Sequence, residues 1–103
     1  MPDFPRTKVT VESDIYDLIP VFLESLSSEL AMMANCAEDC DYELMREKIH
    51  SSKGAALTFG FTIYVSELDT LHRLSRDCDS DGMRKSLIKL NNLLENCTFV
   101  PAG

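Results

Sequence analysis

Residues 41–60 read DYELMREKIHSSKGAALTFG and are the most informative part of the sequence. Asp41 has the side chain of a helix N-cap, and Gly60 suits the left-handed residue that often ends a helix. Between them, apolar or small residues recur at intervals of three or four, which predicts one buried helix face. That face comprises Met45, Ile49, Ser52, Ala56 and Phe59. We therefore predict a helix that is capped by Asp41, runs to Phe59 and has an opposite face in solvent.

The solvent face of this helix carries a histidine with a lysine and a glycine one turn away. His50, Lys53 and Gly54 have i, i+3 and i+4 spacing, so their side chains are neighbours. Imidazole offers a neutral nucleophilic nitrogen near neutral pH, and an ammonium can stabilise phosphoryl oxygens. Phosphoryl transfer depends mainly on positioning and charge. Because glycine costs a helix about 1 kcal/mol, Gly54 suggests a need for close approach by a partner. The same face also includes Glu43, Arg46, Glu47 and Leu57.

Three further segments have helical periodicity. The first runs from Ser13 to Ala37, and Pro20 predicts a kink or a break near its start. The other two begin near Thr62 and Met83. We predict an all-α fold, an up-and-down antiparallel four-helix bundle with a short or kinked N-terminal helix before it. We expect an extended arm over residues 1–12, the bundle over 13–97 and a tail over 98–103, with residues 98–100 of the tail pairing with residues 8–11 of the arm.

Composition limits the classes of function. The chain has 103 residues and a net charge of −7, which indicates one domain and argues against binding to nucleic acid or to anionic membranes. No apolar run approaches the ~18 residues of a membrane span, and residues 1–6 do not have the pattern of a secretory signal. We therefore expect a cytoplasmic protein, and a monomer.

The four cysteines and the second histidine have less specific interpretations. Free cysteines are often buried, so we predict reduced, buried thiols at Cys36, Cys40, Cys78 and Cys97, with Cys78 and Cys97 inside helices. A metal site, a disulfide or a redox role is the alternative for these residues, and we expect no bound metal. We interpret His72 as structural or solvent-facing, because no Lys-Gly pair follows it.

The segment from His50 to Gly60 resembles the motif of histidine-containing phosphotransfer (HPt) domains, His-x-x-Lys-Gly-x-x-x-x-x-Gly. Residues 58–62, Thr-Phe-Gly-Phe-Thr, are also similar to the phosphotransfer domain of chemotaxis histidine kinases, and the resemblance extends from Leu18 to the two closing helices. It implies that His50 accepts a phosphoryl group from a receiver phospho-aspartate or from a histidine kinase, hybrid kinases included, and passes it to another receiver aspartate. Lys53 would stabilise the phosphoryl group.

The resemblance also implies which groups belong to the partner. Arg46, Glu47, Gly54 and Leu57 would contact the response-regulator receiver domain, which would supply the magnesium. The chain itself would be a phosphorelay intermediate in two-component signalling and not an enzyme, because it has neither a nucleotide-binding glycine motif nor room for an ATPase fold. The alternatives are a receiver-docking or scaffold bundle that carries no phosphate, and a cysteine-rich metal or redox bundle.

Two residues depart from the family pattern. Ser52 stands where an apolar residue is usual, and Glu67 lies among the apolar residues of the third helix. The Ser52 hydroxyl could bond back to the carbonyl of Lys48. We expect Ser52 and Glu67 to approach each other or to share a water. Neither departure affects His50, Lys53 or Gly54.

Overall fold

The computed structural model describes residues 6–102, and these fold into four α-helices, one 3-10 helix and two short strands. In chain order the elements are β1 (Thr7–Val11), the 3-10 helix (Ser13–Leu18), α1 (Ile19–Asp39), α2 (Tyr42–Thr58), α3 (Thr62–Arg76), α4 (Ser80–Glu95) and β2 (Cys97–Pro101). The first five residues of the predicted arm and the last residue of the predicted tail lie outside the described residues. The described part is mostly helical, as predicted.

The four helices pack in a ring around one core, with α1 and α3 each in contact with both α2 and α4. The rings of Phe22 and Phe59 stack with their centroids 4.1 Å apart, joining the start of α1 to the end of α2. Further along, the Ser52 hydroxyl donates to Glu29, so the contacts run in opposite directions along the two helices. The core takes its largest fully buried side chains from all four helices and from the residue before α3: Leu26, Met33, Met45, Phe61, Tyr64, Leu68, Leu71, Met83 and Leu90.

The ends of the helices follow from local sequence signals. Pro20 lies in the first turn of α1, where its missing N–H costs nothing, and the 3-10 helix precedes it. The predicted break near Pro20 is therefore confirmed. The Asp41 carboxylate accepts a hydrogen bond from the Leu44 amide at 3.2 Å, as expected of an N-cap. Gly60 has φ of +72°, which is the left-handed conformation predicted at the end of α2.

A parallel two-stranded ribbon lies at the end of the helical domain where α2 meets α3. The register pairs Lys8 with Thr98, Val9 with Phe99 and Thr10 with Val100, so the predicted pairing of arm and tail is confirmed. The all-α prediction is incomplete to this extent. Phe99 anchors the ribbon, because its ring meets those of Phe22 and Phe61 edge to face at 5.9 and 5.3 Å. These contacts join the two ends of the described chain to the core.

The cysteine prediction is partly wrong for position. All four thiols are free, Cys36 is buried and Cys97 is half-buried, but Cys40 and Cys78 are exposed. The reason is that Cys40 and Cys78 lie just beyond the ends of α1 and α3, with φ of 56° and 54°, and not inside helices. Cys97 is also outside a helix, because it begins β2.

The exposed and enclosed thiols should react at different rates with a thiol reagent. Burial raises the pKa of Cys36 and of Cys97, which lowers their thiolate fractions. Under native conditions at pH 8, Ellman's reagent should therefore modify Cys40 and Cys78 in a fast phase and the other two thiols in a slow phase. Mass spectrometry of the first products identifies the sites. A single fast phase for all four thiols in the folded protein would contradict this arrangement.

Candidate functional site

The imidazole of His50 is on the outer surface of α2, as predicted. The opposite face of the helix is fixed in the core, since Met45, Ile49, Ser52 and Ala56 are each at most 4% exposed. That packing sets the rotation of α2 about its axis and leaves the side chain of His50 exposed. A nucleophilic ring nitrogen at this position is accessible to a second macromolecule.

Gly54 makes an open patch one turn beyond His50. A Cβ atom added to Gly54 would have no neighbour within 4 Å, so the glycine is not required by packing inside the chain. The Thr58 hydroxyl donates a hydrogen bond to the Gly54 carbonyl at 3.0 Å. Leu57, on the same face, has 54% of its surface exposed. The patch therefore combines accessible backbone with an apolar contact.

The flanking charged residues extend this surface toward the start of α2. Arg46 and Glu47 are both exposed on the preceding turn. Among the ion pairs formed within residues 6–102, none involves Arg46, so its guanidinium is available to an acidic partner. All six residues predicted for the site are thus on α2, and each of them is at least partly accessible.

The ammonium of Lys53 has an acidic partner on the neighbouring helix. Lys53 Nζ lies 2.8 Å from Asp69 Oδ1 on α3. The two side chains are 39% and 56% exposed, so this ion pair contributes only about 0.2–1 kcal/mol to stability. The cation remains one turn from His50, but in this structure it points toward the neighbouring helix.

Sequence reasoning did not identify Asp69, although a signal was present. Lys53 and Asp69 are each eight residues from Phe61, which joins α2 to α3. Where two neighbouring helices run in opposite directions from a short turn, residues at equal distance from that turn lie at the same level. An acidic residue at that level is a natural partner for an outward lysine.

The predicted approach of Ser52 to Glu67 is wrong. Ser52 donates to Glu29 on α1 at 3.1 Å, and Glu67 accepts from Ser86 on α4 at 2.7 Å. Nor does Ser52 bond back to the carbonyl of Lys48. Each polar residue at the core edge is instead satisfied by a different neighbouring helix, because Ser52 faces α1 while Glu67 faces α4.

The hydroxyl of Tyr64, unlike those of Ser52 and Ser86, lies in the core without a hydrogen bond to the described part of the chain. It is buried and has no hydrogen-bond partner among residues 6–102. Burial, assisted by the charge of Glu29, raises the pKa of Tyr64 far above its usual value. The phenol is therefore neutral at physiological pH and has no part in the exposed face around His50.

Two classes of site have no candidate in the described residues. Across residues 6–102, no group of three or more histidine, cysteine, aspartate or glutamate side chains could hold a metal ion. No helix in the same range is long and apolar enough to cross a membrane.

The chain has no match among protein-family models, curated proteins or solved structures. The case for a function therefore depends on the residues of the candidate site and on the resemblance of the His50 to Gly60 segment to the HPt motif.

Proposed function

We propose that the chain is a histidine phosphotransfer protein of the HPt type, with an up-and-down antiparallel bundle that presents His50 to response-regulator receiver domains in the cytoplasm. The observation that carries this proposal is the exposed imidazole of His50 beside Gly54, where an added Cβ would meet nothing. Opposite helix directions are supported by two contacts between α1 and α2, Phe22 with Phe59 and Glu29 with Ser52. They are supported for α3 and α4 by the proximity of Leu74 to Gly82 and by the bond from Ser86 to Glu67.

The proposed reaction moves one phosphoryl group between two side chains. An unprotonated ring nitrogen of His50 attacks the phosphorus of a receiver phospho-aspartate, and a nitrogen–phosphorus bond forms. The oxygen–phosphorus bond breaks, and the aspartate carboxylate leaves with the bonding electron pair. The reverse reaction delivers the group to another receiver aspartate. Magnesium and the acidic residues that bind it belong to the receiver, so this chain contributes position, access and the charge of Lys53.

Phosphoryl transfer from a receiver tests the proposal directly. Receivers that have been phosphorylated with radioactive acetyl phosphate and freed of excess reagent are mixed with the full chain. We expect label to move to the chain and to form an adduct that acid hydrolyses and base does not, as for phosphohistidine. Peptide mapping under alkaline conditions should place it on His50. A panel of receivers that binds the chain and transfers no label would favour the receiver-docking alternative instead.

A further inference from the structure

We infer that Asp69 is a positioning residue that competes with the phosphoryl group on His50 for the ammonium of Lys53. This inference rests on the proposed function. The 2.8 Å contact between Lys53 Nζ and Asp69 Oδ1 assigns the cation to α3 while His50 is unmodified. Lys53 is also one helical turn from His50. One ammonium is therefore shared between two anionic groups as soon as His50 is phosphorylated.

Lys53 can exchange between Asp69 and the phosphoryl group because its ion pair with Asp69 is not buried. The side chains of Lys53 and Asp69 are both accessible to water, and such an ion pair is weak and readily exchanged. An ammonium on a flexible four-carbon chain can rotate to a new acceptor, and bonds from a cation to phosphoryl oxygens are strong. Lys53 can therefore turn toward the phosphoryl group, but only by leaving Asp69.

The carboxylate that is left behind also acts on the phosphorylated state. Once Lys53 has turned away, Asp69 is an unpaired negative charge within reach of the same lysine as the negatively charged phosphoryl group. Loss of the ion pair and this repulsion both raise the free energy of phosphorylated His50 relative to the unmodified chain. Asp69 thus limits how strongly Lys53 stabilises the phosphohistidine, which keeps the group transferable.

The effect of Asp69 on phosphohistidine can be tested with a small-molecule phosphoryl donor, so that no partner protein need be identified. In potassium phosphoramidate, a neutral nitrogen of His50 attacks phosphorus, the phosphorus–nitrogen bond of the donor breaks, and ammonia leaves with the electron pair and takes up the proton released from the ring. After removal of the donor, phosphorus NMR follows the lifetime of phosphohistidine. We expect Asp69→Asn to lengthen that lifetime about two- to fivefold, the range that a weak exposed ion pair allows. Lys53→Ala should shorten it.

The double variant separates positioning from a general effect of charge. In the Lys53→Ala background, Asp69→Asn should change the lifetime far less than it does in the wild-type chain. Asp69→Glu should restore the short lifetime, and Asp81→Asn, which removes the acidic partner of Arg84 on α4, is the matched control and should have no effect.

The outcomes distinguish the two claims. If the wild-type chain acquires no phosphoryl group on His50 from phosphoramidate or from receivers, the proposed function is overturned. If His50 is phosphorylated but Asp69→Asn leaves the lifetime unchanged, only the role of Asp69 is overturned. An equal effect of Asp69→Asn with and without Lys53 would also overturn it, because the effect would then not act through the lysine.

Discussion

Replacing His50 with glutamine should reduce phosphoryl transfer from a phosphorylated receiver to the level of a blank without protein. Glutamine keeps a polar side chain of similar length but has no nucleophilic nitrogen, because its amide electron pair is delocalised. His50 is exposed, so the substitution removes no core packing and the helical circular dichroism signal should be unchanged. Transfer is measured as radioactivity retained on the chain after alkaline gel electrophoresis.

His72 provides the matched control for this experiment. It is the only other histidine, it lies on α3, and like His50 it is eleven residues from Phe61. It is half-buried and is followed by no Lys-Gly pair. The variant His72→Gln should therefore keep wild-type labelling. Label that survives His50→Gln and disappears in His72→Gln would move the phosphoacceptor to α3 and contradict the proposal.

The fold was predictable where one residue type has one dominant physical role. Asp41 can satisfy a helix amide, Gly60 tolerates a positive φ, and Pro20 cannot donate inside a helix, so the start of α1 and both ends of α2 follow from the sequence. The outward direction of His50 followed in the same way from the apolar face opposite it. These features are local and need no knowledge of the neighbouring helices.

Features that depend on tertiary packing were not predictable in this way. The partners of Ser52 and Glu67 were wrong because helix periodicity gives the face of a residue but not which of two adjacent helices it meets. Cys40 and Cys78 were predicted to be buried because free cysteines often are, and Cys78 because the helix pattern was extended past the last turn of α3. The pairing of Lys53 with Asp69 requires the register of α2 against α3.

Replacing Gly54 with glutamine should slow transfer from a receiver by about 10²-fold, because even a 1 Å displacement of reacting groups can cost that much. The new side chain would project beside His50 at i+4 and hold the receiver away from the imidazole. The fold should not suffer, since a Cβ at Gly54 meets no atom within 4 Å. Glutamine is also the better helix former, so the free energy of unfolding in urea should rise by roughly 0.5 kcal/mol. Single-turnover transfer rates and urea titrations measure the two effects separately.

Two further variants test whether blocked steric access is the reason that Gly54→Gln slows transfer. Gly54→Ala adds only a methyl group, so it should retain most of the transfer rate while raising the free energy of unfolding by about 1 kcal/mol. Ser51→Gln introduces the same long side chain at another exposed position, about a quarter of a turn around α2 from His50, and should slow transfer much less. If Gly54→Gln transfers at the wild-type rate, the receiver does not approach through this patch. If Gly54→Ala is as slow as Gly54→Gln, backbone flexibility and not access is what the glycine provides. If the receiver needs an open approach to His50, Gly54→Gln should be slow while Gly54→Ala and Ser51→Gln stay much faster, and the Gly54→Gln protein should be more stable than the wild type.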